Sequence, residues 1–421
     1  MRNQTKKRRG TVAALTALCL TGIVGFAAIA LDGGLLQHDR RIAQASADAA
    51  ALAAAADLYL NWQTYAGLDV PGTATTKALA IASANGFTNN GVDSEVTVNI
   101  PPLSGLHAGQ AGYAEVIIYQ YQRRGFSAIW GTGRMTVSAR AVAVGRWAHF
   151  RIGILVLDPY SPGSMNDNGT GSCTVQNADI IVDSNAPNAA VGTGGATLTG
   201  PNFYITGIPG TSTSGGGSFQ GAIYDGQTPT PDPLAYLPEP NPDSMTVQSD
   251  HGVHASGTQT LNLQPGVYKG GITVSGQASL TMAPGIYYMD GGGFSFTGQG
   301  ALNAPGVMIV NAPKSNSDRI NINGLGTVNM SGPTTGIYAG ISLWQVRSST
   351  NTVEVSGNGG TQMTGTFYAQ HGLLKITGNG GSNTLGSQYI SFDLNLGGNG
   401  TWLVSWSPQP TARTRIIYLV E

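Results

Sequence analysis

Short apolar triplets, each followed by glycine, return at an almost constant interval through the carboxyl-terminal two-thirds of the chain. Leu261-Asn262-Leu263-Gln264-Pro265-Gly266-Val267-Tyr268 returns as Leu280-Thr281-Met282-Ala283-Pro284-Gly285-Ile286-Tyr287, and more loosely at Ala304-Pro305-Gly306-Val307-Met308. Gly271-Ile272-Thr273-Val274-Ser275-Gly276 is echoed by Gly293-Phe294-Ser295-Phe296-Thr297-Gly298. Val353-Glu354-Val355 is echoed by Leu374-Lys375-Ile376 and Leu394-Asn395-Leu396, and the close repeats lie 19 to 22 residues apart. A period of about twenty residues, made of short strands and glycine turns, is the pattern of a parallel β-helix. Each repeat is one coil that buries its apolar face only by stacking on another. Pleating sends the outer side chains of a triplet inward and the middle one outward. Thr273, Ser295, Glu354, Lys375 and Asn395 are therefore expected at the surface.

The amino terminus obeys a different rule. Lys6, Lys7, Arg8 and Arg9 precede Gly10 to Leu31, which carry no charge, and Asp32 follows. Some twenty apolar residues in a helix span the roughly 30 Å hydrocarbon core of a bilayer. The basic cluster on the amino-terminal side puts residues 1–10 in the cytoplasm and everything after Asp32 outside it. Ala28-Ile29-Ala30 also fits the small-x-small pattern of a signal-peptidase site, but the apolar run exceeds the usual h-region, which favours an uncleaved anchor. Cys19 follows Leu18, where lipoprotein processing needs a small side chain, so it reads as an apolar filler.

Beyond Asp32, Arg40-Arg41-Ile42-Ala43-Gln44-Ala45-Ser46-Ala47-Asp48 leads into an alanine run to Ala55, all good helix formers without proline. The combination of basic residues and glycine, apolar span, aspartate, arginine pair and Gln-Ala-Ser-Ala-Asp-Ala-Ala-Ala-Leu-Ala-Ala-Ala, over about residues 8–57, resembles the amino-terminal domain of the TadG-like proteins of tight-adherence (Flp) pilus systems. The fifth residue after Gly10 is Leu15, where processed pilins carry glutamate. The helix is thus expected to remain a fixed anchor rather than enter a filament core.

Composition narrows the remaining classes. Only 10% of residues are charged, the net charge is −1, and glycine numbers 61 of 421, about twice the usual ~7%. No basic face is available for nucleic acid. The two cysteines, Cys19 and Cys173, fall on opposite sides of the membrane boundary and offer no intrachain disulfide.

The resulting division is a cytoplasmic basic segment at 1–10, a transmembrane helix at 11–31, a membrane-proximal helix at 32–66 and a small α+β module at 67–148. Strands are expected there at Val92 to Ile100, Tyr113 to Tyr121 and Met135 to Val144. A parallel β-helix follows at 149–408, then a tail at 409–421. Pro229, Pro231, Pro233, Pro238, Pro240 and Pro242 mark an excursion from the solenoid at 209–250. Asn358, Asn379 and Asn399, at one repeat position, are expected to form a hydrogen-bonded ladder and to tolerate left-handed turns. Tyr268 and Tyr287 are expected to stack.

No residue is expected to be catalytic, cofactor-binding or metal-ligating. The TadG-like resemblance raises an Asp-x-Ser-x-Ser metal site at Asp158. The serines here, Ser161 and Ser164, sit three and six residues on, a spacing whose oxygens do not converge on an octahedral ion. Carboxylates occur singly at Asp290, Asp318, Glu354 and Asp393, with Asp250-His251 and His254, and Lys314 with Asp318-Arg319, as the only charged groupings. Solvated turns account for them, against the acid–base clusters that polysaccharide-cleaving β-helices need. The expectation is a non-enzymatic structural or adhesive protein, single-pass in the bacterial inner membrane, with its carboxyl-terminal region periplasmic or extracellular. Its partners would be other Tad/Flp components or envelope polysaccharide. The alternatives are a polysaccharide-processing β-helix and a secreted adhesin released after Ala30.

Overall fold

The protein is described here by a computed structural model covering residues 9–421. The basic residues Lys6, Lys7 and Arg8, and with them most of the expected cytoplasmic segment, lie outside the described residues. The chain forms two compact units. One contains the amino-terminal part to Ala148 together with Arg415–Glu421, and the other contains His149–Thr414.

In the amino-terminal unit a single helix, α1 (Arg9–Leu60), runs through the apolar span and the alanine run. At 1.5 Å per residue it is about 78 Å long. Its two halves differ in what surrounds them. Val12, Leu15, Leu18, Leu20, Ile23, Val24, Phe26, Ile29 and Leu31 are exposed on all sides, whereas Ala43, Ala47, Ala50, Ala51, Ala54 and Ala55 are fully buried. The buried half packs on α3 (Thr73–Ala84), reached through the short α2 (Trp62–Tyr65), and on a sheet of β1 (Ser94–Asn99), β2 (Tyr113–Gln122) and β3 (Met135–His149). These strands pair antiparallel in chain order. The expected carboxyl-terminal tail is partly a strand: Arg413–Leu419 adds to this sheet beside β3. Backbone bonds of Val142 with Val420 and Glu421 secure its end.

The interior here is made of alanine. Ala74, Ala78 and Ala82 of α3 face the alanines of α1, with Ala114, Ala139, Ala141 and Ala143 beneath. Small side chains let helix and sheet backbones approach closely. A Cβ on Gly145 would overlap the Ala55 carbonyl. Among the described residues Asp32, Asp57 and Glu115 are the buried carboxylates of this unit. Glu115, fully inaccessible, accepts from Arg140 Nε at 2.6 Å, Asn99 at 2.7 Å, Ser104 at 2.6 Å and the Leu103 N–H at 3.1 Å. Burial alone would raise its pKa, but these donors hold the carboxylate down at about 2.

The second unit is a parallel β-solenoid of about eleven coils. The triplets alternate as pleating requires. Ile376 and Leu374 are buried against Val355, Val353, Leu396 and Leu394, with Glu354, Lys375 and Asn395 in register between them on the outer side. Those middle residues are half-buried rather than fully exposed, since neighbouring coils flank them; Lys375 Nζ reaches Glu354 at 2.9 Å. Tyr268 and Tyr287 stack at 5.8 Å between ring centroids. They do so although the strand register is offset, with Tyr287 opposite Gly266 and Tyr268 opposite Met289.

The asparagine ladder does not form. Asn358 donates to the Gly324 carbonyl instead, and among the described residues no side-chain bond links Asn358, Asn379 and Asn399. Nor are these residues left-handed: Gly359, Gly360, Gly380 and Gly398 take the positive φ. A glycine next door removes the need for asparagine to adopt it. Other asparagines bridge coils: Asn383 Oδ1 accepts from the Gly359 and Thr361 N–H groups at 2.9 and 3.3 Å, and Asn329 donates to Asn303 at 3.2 Å.

Coil order departs from chain order. The entry coil, made of Ile152–Val156, Met165–Asp167 and Ser172–Gln176, is followed by two further coils ending at Tyr224. Coiling resumes at Val247 and runs through seven coils to the exit coil, Gln388–Gly398 and Thr401–Ser405. That coil pairs in parallel with the entry coil on all three faces. The chain thus enters and leaves the stack between its two ends, and the junction of entry and exit coils is a seam between segments more than two hundred residues apart. The excursion is correspondingly shorter than 209–250. Thr211–Thr213 and Ser218–Tyr224 are coil strands, as is Val247–Ser249. The 22 residues between Tyr224 and Val247 form a strap. Extended at about 3.3 Å each they reach some 70 Å, enough to run past the ten or so coil spacings of about 4.8 Å from one end of the stack to the other.

Candidate functional site

The strap lies along one face of the solenoid, where it covers outward-pointing apolar residues. Leu234 and Leu237 are buried against Leu155, Met308, Ile341, Trp344, Tyr368 and Ile390. Its clasp is Arg347. The guanidinium donates from Nη2 to the Leu234 carbonyl and from Nη1 to the Leu237 carbonyl, both at 2.9 Å, and from Nε to the Tyr368 hydroxyl at 2.8 Å. It lies over the rings of Trp344 and Tyr368, 4.9 and 5.4 Å from their centroids. The fork geometry and planar stacking are what an arginine supplies and a lysine does not. The Tyr368 hydroxyl in turn donates to Asp232 Oδ2 at 2.7 Å, and Tyr338 donates to the Pro238 carbonyl at 3.0 Å.

Where the strap begins, a cleft of about 370 Å³ is lined by Asp183, Asp232, His371, Gln370, Phe392 and Thr230 among others. Asp183 Oδ1 accepts from the Thr230 N–H at 2.8 Å, and burial pushes its pKa up to about 6. Burial likewise raises Asp232. Beside the cleft, Asp393 and Asp158 form a hydrogen-bonded carboxyl pair across the seam. Burial first, and then the neighbouring carboxylate, lift Asp393 to about 6. Asp158 remains the ionised partner despite its burial, because the Tyr160 and Ser161 N–H groups bond it at 2.8 and 3.0 Å. Asp393 is therefore not single, as its sequence context implies. Asp158 lies 235 positions away and meets it only because exit and entry coils stack.

The other groupings read from sequence are local. Asp318 closes its own turn, accepting from the Lys314 and Ser315 N–H groups, while Lys314 pairs with Asp290 at 2.8 Å. Asp250 pairs with Lys269 at 2.6 Å. Ser164 donates to the Ala189 carbonyl, whereas Ser161 bonds the Asp158 carboxylate, so the two serines after Asp158 have separate partners. Among the described residues no group of three His, Cys, Asp or Glu side chains is arranged to hold a metal ion.

Arg347, Asp232, Asp183 and Tyr368 escape a reading by repeat. The one signal for Arg347 is that it is the sole arginine between Arg319 and Arg413 and sits in a gap of the triplet pattern.

Residues 10–57 match the Tad family, described as Flp pilus-assembly TadE/G-like. The matched segment coincides with the helix that is long and apolar enough to cross a membrane and stops within the alanine-cored part of α1. No curated protein and no solved structure was found to match the chain.

Proposed function

We propose that this chain is a membrane-anchored extracytoplasmic protein with a structural or adhesive role in a tight-adherence pilus system or the surrounding envelope. The observation that carries the reading is the coincidence on one helix of the TadE/G-like segment with a change of surroundings. The large apolar side chains from Val12 to Leu31 are exposed, with Ala28 buried among them, whereas Ala43, Ala47, Ala50, Ala51, Ala54 and Ala55 are buried. A helix apolar all round and unpartnered by protein is suited to lipid. The basic residues before it orient the remainder outward.

A display role suits the solenoid better than catalysis, because the carboxylates at the cleft are occupied. Asp183 and Asp232 are held by backbone N–H groups and a tyrosine, and Asp393 is held by Asp158. The rival reading, polysaccharide processing, draws on the same cleft, where burial lifts Asp183 to about 6 in company with His371, and on Asp393 beside it, lifted likewise to about 6. Turnover of uronans by the purified protein would favour that rival.

Topology tests the main reading. Protease added outside spheroplasts should reach residues beyond about Asp32 or leave a resistant solenoid core, while an amino-terminal tag stays protected. Release of the ectodomain by a carbonate wash would overturn the anchor.

A further inference from the structure

Because the chain enters and leaves the solenoid within the stack, both of its end coils are made of segments internal to the unit. At one end the outermost strands are Thr211–Thr213 and Ser218–Tyr224. At the other they are Val247–Ser249, Val253–Ala255 and Thr260–Leu263. Among the described residues each of these has a strand partner on one side only. Natural edge strands are usually protected by lysine, proline, inward charges or a covering segment. None of these five strands contains a lysine, arginine, aspartate, glutamate or proline. The core is open at both ends as well. Phe219 at one end and Val253, Leu261 and Leu263 at the other are apolar residues packed on the main core yet only partly buried.

The two ends are also stepped in a complementary way. At the first, Ala222–Tyr224 projects one strand beyond its neighbours on the other two faces, stacked on Asn202–Tyr204 and exposed. At the second, the strand on that same face, Val247–Ser249, is the poorly held one: three residues, an interrupted register, and mostly exposed.

We propose that copies of this chain stack end to end through these two coils. Val253–Ala255 and Thr260–Leu263 of one copy extend the ladders of Thr211–Thr213 and Ser218–Gln220 of the next. Ala222–Tyr224 takes the place of Val247–Ser249. The seam is the internal precedent, since there two coils remote in sequence already pair on all three faces without a covalent turn between them. The contact buries Phe219 against Leu261 and satisfies both open edges. It joins unlike surfaces by translation along the stack, so it is heterologous and propagates rather than closing into a symmetric pair.

The alternation of side chains sets the register. Ser212 and His254 are the outward, exposed middle residues of their triplets and become neighbours on adjacent strands, within disulfide reach. Within one chain they lie at opposite ends of the stack, on the order of 45 Å apart, and cannot be bridged. The test is full-length protein in detergent, in a Cys19→Ser background, carrying Ser212→Cys and His254→Cys together or singly, under mild oxidation. The double variant should give a ladder of covalent multimers on non-reducing gels, about tenfold more than either single variant. Cysteine-free oxidation artefacts are excluded by sedimentation of the unmodified chain, whose mass should grow with concentration. A chain that sediments as a monomer throughout, or single-cysteine variants that cross-link as well as the double one, would overturn head-to-tail stacking. Neither outcome depends on the pilus assignment.

Discussion

The two units bury their backbones by opposite means. The amino-terminal unit brings helix and sheet together mostly over alanine and glycine, with Leu58, Phe87, Val96, Val116 and Ile118 as its larger buried side chains, so at the helix–sheet contact there is little room to gain volume. The solenoid fills the space between its faces with Phe203, Phe294, Phe296, Phe367, Tyr389, Trp402 and aliphatic residues. Its polar liabilities are concentrated at the seam. There Asn166, Asp167, Ser391, Asp393 and Trp402 each have a buried polar atom without a protein partner. The lesson is that close backbone approach is sensitive to added atoms, whereas a stacked core is sensitive to added charge and to the chemistry of the coil junction.

The largest expected effect is a charge placed between coils. Ile376→Asp should cost about 5 kcal/mol and unfold neighbouring coils, because the carboxylate has no partner there. A thermal melt of the solenoid unchanged by this variant would break the inward assignment. Next comes pH, for which the two units have opposite signs. Burial lifts Asp167 to about 7. The unfolded chain releases this proton near pH 4 and the folded one only near 7. The unfolded state therefore binds fewer protons in that window, and the solenoid loses up to roughly 4 kcal/mol as pH rises through it. Asp167→Asn should flatten that slope. Glu115, held at about 2, works the other way. Its stabilisation is present above about pH 4.5 and is lost as pH falls toward 2. Hydrogen exchange resolved by segment between pH 2 and 8 would separate the two, and slopes of the same sign in both units would refute the distinction.

Gly145→Val should cost about 3 kcal/mol or more, since the new side chain meets the Ala55 backbone and only separation of α1 from β3 relieves it. The same unit should tolerate truncation of its alanines poorly but have few large residues to truncate. Calorimetry of Gly145→Val showing no loss would mean that the alanine interface is looser than drawn. Arg347→Ala should cost about 2 kcal/mol, by leaving the Leu234 and Leu237 carbonyls short of a donor. It should also make the strap the first site of proteolysis. Arg347→Lys should not restore protection. The smallest effect is Lys375→Asp, one residue from Ile376. It exchanges a partly exposed ion pair with Glu354 for a like-charge contact, at a cost of about 1 kcal/mol. A loss equal to that of Ile376→Asp would mean that the triplet does not alternate.

Much of the solenoid is legible along the chain. Side-chain alternation has a period of two and coil repetition a period near twenty, both local properties that stacking preserves, so Ile272, Val355 and Ile376 declare their inward facing without a partner in view. The same holds for the apolar run of α1, where length and absence of charge suffice. The asparagine ladder failed because adjacent glycines already supply the left-handed turn. The excursion is shorter than its prolines and glycines suggest, because Thr211–Thr213 and Ser218–Tyr224, short strands around a glycine turn, pair only through a neighbouring coil.

What the chain determined by itself is thus the kind of unit: a long apolar helix, an alanine-rich continuation, and coils with a defined inside and outside. Only the tertiary structure decided the order in which the coils stack. Every coil presents nearly the same parallel edge, so periodicity cannot distinguish a neighbour in sequence from the exit coil arriving more than two hundred residues later. From that one choice follow the seam within the stack, the meeting of Asp158 with Asp393, the strap that must run the length of the stack, and the arginine that holds it down. These depend on long-range contacts between single residues, which leave no period for a sequence to display.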